Sequence, residues 1–141
     1  MKIADKALLS PQLVTKLISR ATLARELSYS PYSHFAVGAA ILARSGKIYP
    51  GCNIENASYS LTLCAERAAL VNAILAGETE FDALAVVAAT TLPIAPCGAC
   101  RQVLAEFNVP LVIMANQAGK YRLETLEQLL PYAFTATDLS E

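Results

Sequence analysis

Apolar residues recur at helical spacing directly after a capping signal in "SPQLVTKLISRATLAREL". Ser10 can cap, Pro11 suits the first helical position, and Leu13, Leu17, Ala21 and Ala24 fall on one face. This predicts an opening helix. The period breaks over "SYSPYSHF", and the apolar stretches "FAVGAAILAR" and "KIYPGCNI" then flank a turn at Ser45 and Gly46, predicting a hairpin. Pro50 places the second strand at a sheet edge or on a bulge. "ASYSLTLCAERAALVNAILAGE" carries Leu63, Arg67, Leu70, Ala73 and Ile74 at helical intervals and stops at Gly77, predicting a buried helix. "FDALAVVAAT" and "VPLVIMAN" are short continuous apolar runs, the pattern of strands covered on both faces, with a helix between them from near Cys97 through Phe107. A short strand in "GKYRLET" and a helix in "TLEQLLPYAF", stopped by Pro131, complete the order. Helix, two strands, helix, strand, helix, strand, strand, helix predicts a three-layer α/β/α sandwich around a mixed sheet of about five strands.

Composition narrows the setting. With 141 residues, 55% of them hydrophobic, the chain can bury a substantial core as one domain spanning residues 1–141. The 11 Lys and Arg balance 12 Asp and Glu with no basic cluster, which argues against nucleic acid as a partner. No run of about 20 apolar residues argues for a membrane span. "MKIADKALLS" is too polar for a secretory signal, and four cysteines without an export signal predict the cytoplasm and thiols used as ligands, nucleophiles or core filler. So apolar and weakly charged a chain also leans towards subunit contacts.

The chemistry concentrates in "PCGAC", Pro96 to Cys100. A Cys-x-x-Cys can be a redox pair or half of a structural or catalytic zinc site. Cys64 begins one predicted helix and Cys97 and Cys100 the next. Strand-to-helix connections carry successive helix N-termini to one sheet edge, so three thiols can converge there. Helix N-termini favour thiolates, the form that binds zinc, and three sulfurs leave a fourth tetrahedral position for water. Glu66, two residues after Cys64, is then placed to take a proton from that water. One Cys or His, a Glu two residues on, and Pro-Cys-x-x-Cys together form the signature of zinc-dependent nucleobase deaminases. Arg67 would offset the negative charge of three thiolates.

The resemblance extends beyond the motif. "SPYSHFAVGAAIL", "GCNIENASYSLTLCAERAAL", "PCGACRQVLAEF" and "LEQLLPYAF" resemble the small cytidine deaminases in order and spacing, over nearly the whole chain, from about Tyr29 to Leu139. The resemblance implies an α/β/α fold, a Zn2+ cofactor and hydrolysis of cytidine and deoxycytidine to uridine and deoxyuridine with release of ammonia. It also implies a homotetramer with shared active sites. By the same resemblance Cys64, Cys97 and Cys100 are zinc ligands and Glu66 is the proton shuttle. Asn53 and Glu55 hydrogen-bond the ribose, Phe35 packs on the pyrimidine, and the Ala65 N–H contacts the ring carbonyl. Tyr59 and Phe134 reach a neighbouring subunit's site. "PYAFTATDL" lacks the glycine usual in the family just after the Phe.

Other readings compete with each of these. A thioredoxin-like pair has no use for Cys64 and Glu66, and a closed site of all four cysteines would bind zinc without turnover. Cys52 reads as a small buried thiol and the lone His34 as structural. Without the resemblance, Glu55 would pass as a solvated loop carboxylate, Phe35, Tyr59 and Phe134 as core or interface aromatics, and Glu66 as a first-turn dipole partner. Rival functions are the same chemistry on a modified cytosine nucleoside or aminoacyl-nucleoside antibiotic, a silent zinc module, or RNA editing, which the balanced charge disfavours.

Overall fold

The computed structural model describes residue 6 and residues 9–140. Most of the polar N-terminal stretch, residues 1–5, 7 and 8, lies outside them. Helix α1 spans Pro11–Arg25; the Ser10 hydroxyl accepts the Leu13 N–H at 3.2 Å, and the buried stripe is Val14, Leu17, Ala21 and Ala24. Strands β1 (Val37–Ala43) and β2 (Ile48–Cys52) form the hairpin. Then come α2 (Ala65–Leu75), β3 (Phe81–Ala88), α3 (Gly98–Glu106), β4 (Leu111–Asn116), β5 (Tyr121–Thr125), and two short helices, α4 (Leu126–Leu129) and α5 (Ala136–Leu139).

The five strands form one sheet in the order β2-β1-β3-β4-β5, with β3 and β4 parallel and the other neighbours antiparallel. Alternation along each strand divides the side chains between two cores. Ala40, Leu42, Ala85, Val87 and Ile113 meet α1, whereas Ala39, Ile41, Leu84, Val86 and Val112 meet the layer containing α2 and α3. Full burial of each valine, leucine or isoleucine among them is worth about 1.5–3 kcal/mol, so the central strands carry much of the stability. Every residue of β4 is buried, as the unbroken apolar run predicts.

Two glycines let the helices lie directly on the hairpin. A Cβ on Gly38 would overlap the Ala21 carbonyl and the Arg25 backbone of α1, and one on Gly51 would overlap the backbone of Ala65 and Ala69 in α2. Pro50 pairs with Ala40 in unbroken register on the edge strand, and the sheet's irregularity lies between Leu42 and Ala43 instead.

Three local expectations differ from the structure. The helix expected across "ASYSLTLCAERAAL" begins only at Ala65. Upstream, Asn56 Oδ1 accepts the Ser58 N–H at 2.8 Å, Tyr59–Leu61 forms a single 3-10 turn, and Leu63 pairs with Ile54, so those backbone groups are already engaged. The same helix is buried on one face only, since Val71 and Leu75 are exposed. Helix α5 was not expected; Thr135 and Asp138 start it as a capping box.

Candidate metal centre and active site

Strands β2 and β3 are each antiparallel to β1, which lies between them, so they run in the same direction. Their C-terminal ends share one sheet edge, and the helices that follow them in sequence, α2 and α3, begin there. Cys64 is the N-cap of α2, Cys97 the N-cap of α3, and Cys100 lies one turn inside α3. Their three Sγ atoms all lie within 4.8 Å of one another, and Cys97 and Cys100 are 3.5 Å apart. Three sulfurs at about 2.3 Å from one tetrahedral ion stand roughly 3.8 Å apart, so this donor set fits zinc. Cys52 is not among them, as its reading as a small thiol outside the ligand set expects, although its Sγ is half-buried rather than buried and faces the Leu27 carbonyl at 3.5 Å.

The electrostatics of the cluster favour a thiolate at Cys64. Cys64 is lowered to about 5, first by a hydrogen bond from Cys100 and then by Arg67, against the opposing effect of burial. Cys100 is pushed up by that same hydrogen bond and by burial. Arg67 Nη2 donates to Cys64 Sγ at 3.1 Å, and Arg67 Nε is the one buried side-chain nitrogen or oxygen among the described residues that has no partner. The guanidinium thus stands beside the sulfurs with a donor to spare. Glu66, 4% exposed, has its carboxyl raised above the ordinary carboxylate value, chiefly by burial and further by the charge of Cys64. Ala65 is the first residue of α2 and fully buried, and its N–H has no acceptor within the helix.

A second group of residues gathers beside the "NIE" segment. Ile54 exchanges two backbone hydrogen bonds of 2.9 Å with Leu63, next to Cys64, and Tyr29 pairs along its other side. Asn53 Nδ2 donates to the Phe35 carbonyl at 2.8 Å, and its Oδ1 accepts from the Val37 N–H at 2.9 Å and from the Ser28 hydroxyl. Glu55 Oε1 accepts the N–H groups of Tyr32 and Ser33 at 2.9 and 3.1 Å, and Oε2 accepts the Ser33 hydroxyl. These bonds, with the Ser33 hydroxyl foremost, hold the Glu55 carboxyl below its ordinary value. Asn53 and Glu55 therefore also anchor the loop that presents Phe35.

Phe35, Tyr59 and Phe134 all remain substantially exposed. Tyr59 stands 5.8 Å from Tyr32, centroid to centroid, over a shallow cavity of about 190 Å³ that Ser33, Glu55 and Thr62 also line. A larger cavity of about 270 Å³ lies between α1 and β2 and contains none of the three clustered thiols. Sequence reasoning passed over Ser28, Ser33 and Gln102. Gln102 Nε2 donates to the Phe134 carbonyl at 2.7 Å, and its neighbour Arg101 donates to the Pro96 and Leu129 carbonyls at 2.9 and 2.7 Å. Only the abundance of polar residues in "SYSPYSHF" hinted at the two serines.

The chain is similar to known proteins over most of its length. The family model of the cytidine and deoxycytidylate deaminase zinc-binding region matches residues 11–116. A cytidine deaminase of Sporosarcina psychrophila is 54% identical over 90% of this chain and 95% of its own. One from Halalkalibacterium halodurans is 51% identical over 89% and 96%. The crystal structure of cytidine deaminase from Burkholderia pseudomallei superposes with a TM-score of 0.82 at 48% identity, covering 89% of this chain and 100% of that one.

Proposed function

The chain belongs to the cytidine deaminase family, and we propose that it carries out the family's reaction with the residues gathered where α2 and α3 begin. It is a zinc-dependent hydrolase that removes the exocyclic amine of cytidine as ammonia, leaving uridine. The observation that carries the assignment of residues is the convergence of Cys64, Cys97 and Cys100 with Glu66 and Arg67 against them.

Cys64, Cys97 and Cys100 would hold the metal. Bound there, zinc supplies a Lewis acid that brings the pKa of a water towards neutrality. Glu66 takes a proton from the attacking water and gives it to the ring nitrogen beside the carbon under attack; it then takes the remaining proton of the added hydroxyl, which becomes the carbonyl, and passes it to the amine, which leaves as ammonia. Burial suits it to this shuttle, because a carboxyl with a raised pKa releases and regains a proton nearer neutral pH. Arg67 disperses thiolate charge, and the Ala65 N–H is free to meet the ring carbonyl.

On the sugar side, Asn53 retains one amide N–H and the Glu55 carboxylate about one acceptor direction after the loop contacts are counted. A hydroxyl, which both donates and accepts, suits that pair. Phe35 packs on the base. Deoxycytidine is a second substrate, in a single domain working in the cytoplasm. Among the described residues, no helix is long and apolar enough to cross a membrane.

Leu27, Leu61 and Leu75 are more than half exposed, as are Tyr59 and Phe134. Such apolar exposure supports a homotetramer in which the two aromatics complete a neighbour's site. A panel of cytosine nucleosides, nucleotides and analogues, assayed for ammonia release at one zinc per chain, tests the substrate. Turnover of a modified analogue with cytidine untouched would overturn the substrate assignment and leave the chemistry standing.

A further inference from the structure

Ser33 links the two substrate-facing groups of the loop. Its hydroxyl accepts the Phe35 N–H at 3.0 Å and donates to Glu55 Oε2, while its own N–H joins that of Tyr32 on Oε1. His34, between Ser33 and Phe35, has φ 57°, in the left-handed region uncommon for a histidine. That turn allows the Phe35 N–H to meet the Ser33 hydroxyl. A strained residue held in an exposed loop needs surrounding contacts to retain it: the His34 N–H meets the Ser30 carbonyl at 3.0 Å, and Glu55 holds the two residues before it.

We propose that Ser33 is a positioning residue that sets the spacing between the base-packing ring of Phe35 and the sugar-binding carboxylate of Glu55. This rests on the roles proposed above for those two residues. An ionised carboxylate offers about four acceptor directions. Three are taken by Tyr32 and Ser33, so the loop fixes where the remaining one can point. A nucleoside presents its base and its sugar hydroxyls at a nearly constant separation, and a carboxylate free to change rotamer would meet that separation only part of the time. The lowered pKa of Glu55 agrees with a carboxylate kept ionised by these donors.

The test is steady-state kinetics on cytidine for Ser33→Ala, Ser33→Thr, Glu55→Ala and the Ser33→Ala/Glu55→Ala double variant, with zinc content and thermal midpoint as controls for folding. Ser33→Ala should raise KM about tenfold, the scale for losing a hydrogen bond to a charged group, with kcat within about twofold of the parent. Ser33→Thr keeps the hydroxyl and should restore KM. In the Glu55→Ala background, Ser33→Ala should add almost nothing, because its effect passes through that carboxylate. Parental kinetics in Ser33→Ala, a loss confined to kcat, or full additivity in the double variant overturns the proposal alone. An unchanged KM in Glu55→Ala overturns the sugar-binding reading and this proposal with it.

Discussion

The Arg67 guanidinium donates to the Cys64 sulfur at 3.1 Å from the next turn of the same helix, leaving its buried Nε unpaired. The contact spans three residues, the spacing that brings side chains together on a helix surface, so α2 carries both a thiolate and its countercharge. Replacing Arg67 with Gln should leave zinc near one per chain and lower kcat by about 10–100-fold, the range for residues that support a metal ligand. Metal analysis alongside kcat distinguishes this from loss of a ligand.

Glu66 is buried beside two of the sulfurs. Glu66→Gln preserves its shape and removes the proton carrier, so turnover should fall by about 10²–10⁴-fold or more while zinc is retained. Activity close to the parent would rule out the proposed shuttle.

Among the four cysteines, Cys52 stands apart from the sulfur cluster. Cys52→Ala should keep full zinc content and activity. Cys97→Ala should lose both, and measuring zinc in the two variants side by side decides between a three-thiolate and a four-thiolate site.

The pH dependence expected at Glu55 follows from its lowered pKa. The depressed value means that its hold on the loop is complete above the ordinary carboxylate pKa of about 4.3 and is lost as pH falls through the lower folded value. KM for cytidine should therefore stay flat from neutral pH down to about pH 5. A rise in KM through pH 6, absent in Glu55→Gln, would show that the carboxylate titrates higher than this geometry implies.

Gly51 lies against the first turns of α2. Gly51→Ala should destabilise by at least about 1–3 kcal/mol, since the methyl meets backbone atoms that cannot rotate away. The shift falls on the helix that Cys64 caps, so zinc affinity should drop together with the thermal midpoint.

Periodicity was enough to locate the strands and most helices because each buried element repeats its apolar residues on its own period, as in the stripe of α1 and the unbroken run of β4. It misplaced the start of α2. Leu63 is in phase with that helix, yet its backbone is paired with Ile54, a partner that helical spacing cannot reveal. The thiols were legible because metal ligation restricts residue type and spacing together.

The layered fold and the grouping of three thiols with a carboxylate and a guanidinium were legible along the chain. All of these follow from local pattern and side-chain chemistry. Long-range contacts set Cys52 apart from the cluster, make Asn53 and Glu55 hold the loop bearing Phe35, and join that loop to Glu55 through Ser33. Those facts depend on β2 and β3 running in the same direction and on segments around residues 29, 54 and 63 lying side by side. Such neighbours are distant in sequence, and hydrogen bonds between them leave no period along the chain.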